Sequence, residues 1–301
     1  MKFSIISKRY IMFAISLLVI VAGLFSIATQ GFNKGIDFTG GTMIDLKFAK
    51  PVTVAQVRDV LSEYKLENSV VQLAGTEKMD AAPNVLIRCH VLSEPERKAV
   101  LDGFNAKLGK FEIMRIEKVG ATIGSELTRE AAIALVLSWL MMIAYISYRF
   151  EFRFGVSGII ALVHDILIVL GMFSILQKEI DASFVAALLT IVGYSINDTI
   201  VIFDRIRENM KMMKKGESLP EMVDRSIWQT MTRSIYTVLT VLFATASLYF
   251  LGGETTKNFS LALLIGFVSG TYSSIFVASP IWVMWKQRDE RKRLEHKMRP
   301  A

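Results

Sequence analysis

Six stretches of this chain are long and apolar enough to cross a membrane as helices, and they leave little else for it to be. They cover residues 10–29, 131–148, 154–176, 182–203, 234–253 and 258–285. A hydrocarbon core about 30 Å thick takes about 20 helical residues at 1.5 Å each. The chain as a whole is 52% hydrophobic with a mean hydropathy of +0.42, too apolar for an ordinary soluble domain. The first stretch follows Lys2, Lys8 and Arg9, which resemble a signal-peptide n-region. Its apolar run exceeds a normal h-region of about 7–15 residues, and no Ala-x-Ala site follows, so an uncleaved anchor is expected.

Orientation follows from the placement of Lys and Arg. With the N-terminus inside, the cytoplasmic segments hold 3 basic residues before the first span, 2 between spans two and three, 7 between spans four and five, and 7 after span six. The two short outer loops hold one each, Lys178 and Lys257. Residues 31–128 carry 13 basic and 13 acidic residues and are neutral. The formal charge of +7 is therefore a cytoplasmic excess suited to topology and anionic lipid, and it needs no nucleic acid. Cys89 is the only cysteine, which excludes an internal disulfide, and no metal-ligand spacing surrounds it.

The loop 31–128 reads as a domain. Residues 42–48 alternate like a strand, and residues 53–65 repeat with a helical period that places Val54, Val57, Leu61 and Tyr64 on one face. Residues 69–74 and 84–91 are strands. Residues 93–108 open with Ser-Glu-Pro-Glu, a helix-start signal, and 111–119 is a last strand. The order β-α-β-β-α-β is that of a ferredoxin-like α+β domain, here on the extracytoplasmic side. The expected fold is an α-helical polytopic membrane protein of six transmembrane helices carrying this domain. The expected divisions are 1–30, 31–128, 129–285 with a cytoplasmic loop at 205–233, and a basic tail at 286–301. The loop is expected to form a short interfacial helix with Leu219, Met222, Val223 and Ile227 on one face. The tail is expected to be solvated and partly disordered.

Charge inside the spans is the functional signal. Span four carries Thr190, Tyr194 and Asp198 at i, i+4 and i+8, with Asn197 alongside. A carboxylate at the centre of a membrane helix costs at least about 2.5–3.5 kcal/mol, so such a residue is rare and usually functional. Span five carries Thr230, Arg233, Thr237 and Thr240 on one face, and Arg233 enters from the side that Asp198 approaches. Apolar surroundings favour a neutral carboxyl and a nearby guanidinium favours a charged one. A helix shift that changed their separation would therefore change proton affinity. Span three carries His164 and Asp165, either a proton-path pair or a structural one. Span six contains Gly266-x-x-x-Gly270, a small-residue spacing that favours close helix packing. Gly35, Asp37, Gly40 and Gly41 mark an unusual backbone path ahead of the first strand. No nucleotide-binding or hydrolytic motif is present, so no enzyme is expected, and no cofactor beyond protons and the membrane potential.

Taken together, GIDFTGGT at 35–42, VHD at 163–165, GYSINDTIVIFDRIREN at 193–209 and QTMTRS at 229–234 resemble the SecF proteins. These are the smaller membrane subunits of the bacterial SecDF protein-export complex, in the RND superfamily. The resemblance covers nearly the whole chain. It implies a SecD-like partner of the same six-span plan, work on the Sec channel SecYEG with its small accessory subunits, and an unfolded preprotein as cargo. It implies that the proton-motive force drives that work across the bacterial cytoplasmic membrane. It assigns Asp198 and Arg233 to the proton path and places Asp165 at the Asp of the VHD motif, with Asn197, Tyr194 and Thr237 nearby. Ser234 stands where Thr is commoner, which keeps the hydroxyl. The chain resembles a separate SecF, whose partner would come from another gene. Two readings of other classes compete: a half-size RND transporter, and a passive scaffold that would tolerate Asp198→Asn.

Overall fold

A computed structural model describes residues 4–74, 81–213 and 216–298. It divides into a helical unit, residues 1–33 with 133–301, and an α/β unit, residues 34–132. Six helices meet the length and apolarity of a span: Arg9–Gln30, Thr122–Arg149, Phe152–Ile175, Ala182–Lys211, Leu219–Leu251 and Thr256–Lys292. They are called spans one to six.

In the helical unit, spans three, four and six form the packed interior. Phe154, Phe203 and Trp282 bring one residue from each together, with the Phe154 and Trp282 rings stacked at 4.6 Å. Spans one and three approach until their backbones touch: a Cβ added at Gly23 would lie 2.7 Å from the Gly171 Cα. Gly266 and Gly270 of span six make room for the Ile191 and Ser195 side chains of span four. Small residues at such crossings replace the hydrophobic driving force that lipid removes. Span six widens into a π-helical turn at Ser274–Ala278 before continuing as helix from Ser279. Span two keeps Ile133, Val136, Leu137, Leu140 and Met141 on the surface of the unit.

Two expectations, for the segment 205–233 and for the tail, are corrected. Among its described residues, the segment 205–233 holds no separate interfacial helix. Span four runs on to Lys211, and one unbroken helix begins at Leu219 and continues as span five. Ser218 caps it through a capping box with Glu221, and no breaker separates Ile227 from Arg233. Met222, Val223 and Ile227 do share a face, but that face is buried in protein. Asp224 accepts the backbone N–H groups of Ile5 and Ile6, both at 2.9 Å, and so fastens the chain ahead of span one to the start of span five. The tail is helical to Met298 rather than disordered. Two of its charges find partners at the start of span three, Lys286 reaching Glu151 at 3.3 Å and Asp289 pairing with Arg153, while Arg288, Glu290, Arg291, Lys292 and Glu295 are exposed as expected. Residues 299–301 lie outside the described residues.

The α/β unit contains β1 (Gly41–Thr53), α1 (Val54–Glu63), β2 (Val70–Ala74), β3 (Ala81–Cys89), α2 (Glu94–Leu108) and β4 (Phe111–Val119). The sheet is antiparallel in the order β2-β3-β1-β4. Alternation along β1 sends Ile44, Leu46 and Phe48 to one face, where they join Val85 and Ile87. Val57, Val60 and Leu61 of α1 and Val100 and Phe104 of α2 close that core. Both helices start with capping boxes, Thr53 with Gln56 and Ser93 with Glu96. The Ser93 hydroxyl and backbone N–H hold the Glu96 carboxyl below the usual range.

Cys89 ends β3 half-buried, its thiol donating to the Thr42 carbonyl at 3.5 Å. Burial pushes this thiol up to about 11. At pH 8 roughly one thiol in a thousand is then thiolate, the reactive form. Iodoacetamide should label folded chain slowly at pH 8, and the rate should rise about tenfold per pH unit towards 11. Mass spectrometry of quenched samples reads this directly, and fast labelling at pH 8 would contradict the burial.

Candidate functional site

The intramembrane charges fall into two separate clusters. Asp165 is fully buried. Its Oδ1 accepts from the Ser269 hydroxyl at 2.7 Å and lies 3.0 Å from His164 Nδ1. Its Oδ2 accepts from Ser195 at 2.7 Å and Ser273 at 2.8 Å. Four neighbours thus fill the four acceptor positions of one carboxylate. They come from spans three, four and six, so one side chain ties three helices. Nothing local in the sequence shows that the serines of span six, 104 and 108 positions away, converge on Asp165. Ser195 was legible only in retrospect, three residues before Asp198.

Asp198 is built differently. It is half-buried on span four, and its Oδ1 accepts from the Ser234 hydroxyl of span five at 2.6 Å. Its Oδ2 is buried without a hydrogen-bond partner. A buried carboxyl oxygen left unpaired is costly as an anion, and a proton relieves it. The geometry therefore gives Asp198 one fixed neighbour and one open oxygen, whereas Asp165 has none open.

Arg233, one residue before Ser234, does not ion-pair with Asp198 among the described residues. It is exposed and lines a cavity of about 360 Å³ with Tyr145, Asp204, Arg205, Glu208 and Thr230. The other residues of the polar faces are also placed. Tyr194 packs its ring on Phe267 at 4.5 Å. Thr190, Asn197, Thr237 and Thr240 are exposed. The hydroxyls of Thr190 and Thr237 return to their own helices, to the Ala186 carbonyl at 2.8 Å and the Arg233 carbonyl at 2.9 Å. Spans four and five therefore present polar surface outward at membrane depth.

Gly35 precedes a single helical turn, Ile36–Thr39, in which Asp37 is half-buried. Gly40 and Gly41 follow at φ +71° and +143°, and a Cβ on Gly41 would meet the Cys89 carbonyl at 2.5 Å. Both conformation and space demand glycine at 41. No group of three or more His, Cys, Asp or Glu side chains suited to a metal occurs among the described residues.

Comparison with known proteins fits these features to one family. The model of the C-terminal region of the protein export membrane proteins SecD and SecF matches residues 100–288, and the SecD/SecF GG motif matches 25–52. The SecF subunit of the protein translocase of Acidaminococcus fermentans is 50% identical over 96% of this chain and 99% of its own. That of Sebaldella termitidis is 41% identical over 93% and 91%. The chain belongs to the SecF family. Its structure also resembles the crystal structure of SecDF, a translocon-associated membrane protein of Thermus thermophilus, with a TM-score of 0.86 at 38% identity. That match covers 95% of this SecF-family chain but only 39% of the SecDF chain. A second crystal structure, of SecDF in a super-membrane-facing form, matches with a TM-score of 0.73. As a SecF-family protein with six apolar helices, it is a multi-pass membrane protein and a translocase subunit.

Proposed function

We propose that this chain is a proton-motive-force-driven accessory subunit of the bacterial Sec protein translocase, which completes preprotein export together with a SecD-like partner. The observation that carries the reading is Asp198: a carboxyl inside a membrane helix with one oxygen held by Ser234 and the other unpaired. Such a group can take up and release a proton without dismantling its surroundings. Arg233 lines the adjoining cavity and can approach or withdraw as spans four and five shift. Its approach favours release of the proton, and its withdrawal favours uptake. The membrane potential supplies about 2.3 kcal/mol per charge per 100 mV for this cycle.

The outward polar face of spans four and five supports a partner bundle there, because Asn197, Thr237 and Arg233 are poorly suited to lipid. The share of SecDF left unmatched, 61% of that chain, gives room for the partner. The antiparallel order β2-β3-β1-β4 of a β-α-β-β-α-β chain supports a ferredoxin-like α/β unit. The Lys and Arg bias supports cytoplasmic termini and an extracytoplasmic α/β unit in the inner membrane. In this reading the α/β unit moves with the spans and hinders backsliding of an unfolded preprotein emerging from SecYEG.

The test is the export kinetics of a signal-bearing protein in cells whose only copy of this chain carries Asp198→Asn. Delayed export with normal membrane levels and unchanged drug sensitivity is the expected result. Normal export would overturn the reading and leave Asp198 a structural residue.

A further inference from the structure

We propose that His164 is a second proton-binding centre, distinct from Asp198, and that Asp165, Ser16 and Tyr272 are arranged to hold its ring in either protonation state. Asp165 receives hydroxyl donors from Ser195, Ser269 and Ser273. A carboxylate so surrounded is an acceptor, which makes the neighbouring His164 Nδ1, 3.0 Å from Oδ1, the donor. The ring's other nitrogen, Nε2, lies 3.1 Å from the Ser16 hydroxyl of span one. Ser16 lies 3.3 Å from the Tyr272 hydroxyl of span six, which donates to the Met12 carbonyl at 2.9 Å.

A hydroxyl has one proton to give, and this is the step on which the arrangement turns. When His164 is neutral, Nε2 accepts, and Ser16 donates to it. When a proton from the aqueous phase adds to Nε2, that nitrogen becomes a donor to Ser16. The Ser16 proton then swings to the Tyr272 oxygen, whose own proton stays on the Met12 carbonyl. Both ring nitrogens and both hydroxyl protons have partners before and after, and no heavy atom has to move. A serine acting only to brace a neutral ring needs no second acceptor, and here one is provided. The added charge lies next to Asp165, so the protonated state is a neutral ion pair between adjacent side chains of span three. His164 and Ser16 are buried, but Tyr272 is half-buried, so the relay has one end near the surface of the helical unit.

The groups facing the ring are few. Span one supplies Ser16 and span six supplies Tyr272, whose ring stacks on the imidazole with centroids 6.0 Å apart. Span four faces Asp165, through Ser195. No Lys or Arg hydrogen-bonds or ion-pairs with any member of this network among the described residues. Among the described residues, Asp165 is therefore the one charged side chain that hydrogen-bonds with His164.

The chain contains three histidines, so one imidazole can be isolated by two substitutions. Full chain with His90→Gln and His296→Gln, labelled with 15N-histidine and placed in lipid bilayers, is to be followed by solid-state 15N spectroscopy across a pH series. At high pH the expected spectrum is one protonated Nδ1 and one bare Nε2. On acidification it should convert to imidazolium. Tyr272→Phe should move the midpoint, because the Ser16 proton loses its acceptor in the charged state only. Ser16→Ala should move it as well, and serves if Tyr272→Phe fails to insert. Asp198→Asn should leave the spectrum unchanged. The proposal is overturned by a ring that stays neutral throughout, by a protonated Nε2 at high pH, or by midpoints that neither relay variant moves. Since the ring itself is read, the result does not depend on whether Asp198 drives export.

Discussion

Asp165→Leu should cost more stability than any other single substitution in the membrane spans, with folded protein in the membrane reduced several-fold. Leucine keeps the branched arrangement of four side-chain heavy atoms, so the main loss is one of hydrogen bonds, to which its bulkier methyls add some overpacking. It strands three hydroxyl donors and an imidazole N–H, all buried and drawn from spans three, four and six. Each buried polar group without a partner costs on the order of 1–3 kcal/mol. Some of this is recovered locally, since Ser273 lies 3.1 Å from the Gly270 carbonyl and can turn to it. The remainder, at least about 3 kcal/mol, is a large part of the stability of an ordinary domain. Asp165→Asn keeps one carbonyl oxygen for two donors and should fall between Leu and wild type. Thermal unfolding in detergent, with blotting of membrane fractions, gives the order. If Leu unfolds at the wild-type temperature, the serines satisfy themselves on their own helices and Asp165 does not tie the spans.

Gly171→Ala should have the second largest effect, although it adds a single methyl. An added Cβ would lie 2.8 Å from the Gly23 Cα of span one. The obstructing atom is backbone, so no rotamer change relieves the clash and the two helices must part. Overpacking of this kind costs typically about 1–3 kcal/mol. Parting these helices also strains the bond between Ser26 and Ser174, 2.9 Å apart across the same pair. Gly193→Ala is the matched control on span four, because nothing lies within 4 Å of its added Cβ. The unfolding temperature should fall for Gly171→Ala and stay within about a degree for Gly193→Ala. Combined with Gly23→Ala, the loss should be less than additive, because one separation serves both methyls.

These two expectations show where reading the chain alone stops. Gly266-x-x-x-Gly270 was visible as a packing motif because its members share one helix, one turn apart. Gly23 and Gly171 are not a motif at all. They become a contact only when spans one and three cross at that depth. The same holds for the charges. Asp165 and Asp198 were both visible as carboxylates out of place in lipid. That one is surrounded by four partners and the other by one followed from which helices meet. Ser234 was in view only as the residue after Arg233, yet it is the side chain that holds Asp198. The misjudged segment 205–233 and the tail have a related cause. Charge predicts solvent, which holds for Arg288, Glu290, Arg291, Lys292 and Glu295, but Lys286 and Asp289 lie on a helix whose partners, Glu151 and Arg153, come from the distant start of span three.

The sequence by itself determined the six spans, the β-α-β-β-α-β unit between the first two, and the residues to question inside the membrane. It could do so because hydrophobic length, periodicity and the cost of burying charge are local properties, written in consecutive residues. Tertiary structure decided which helices touch, which carboxyl is saturated and which is open, and where His164 finds its serine. Those outcomes depend on side chains 30 to 148 positions apart arriving within 3.1 Å of each other, which no local rule encodes.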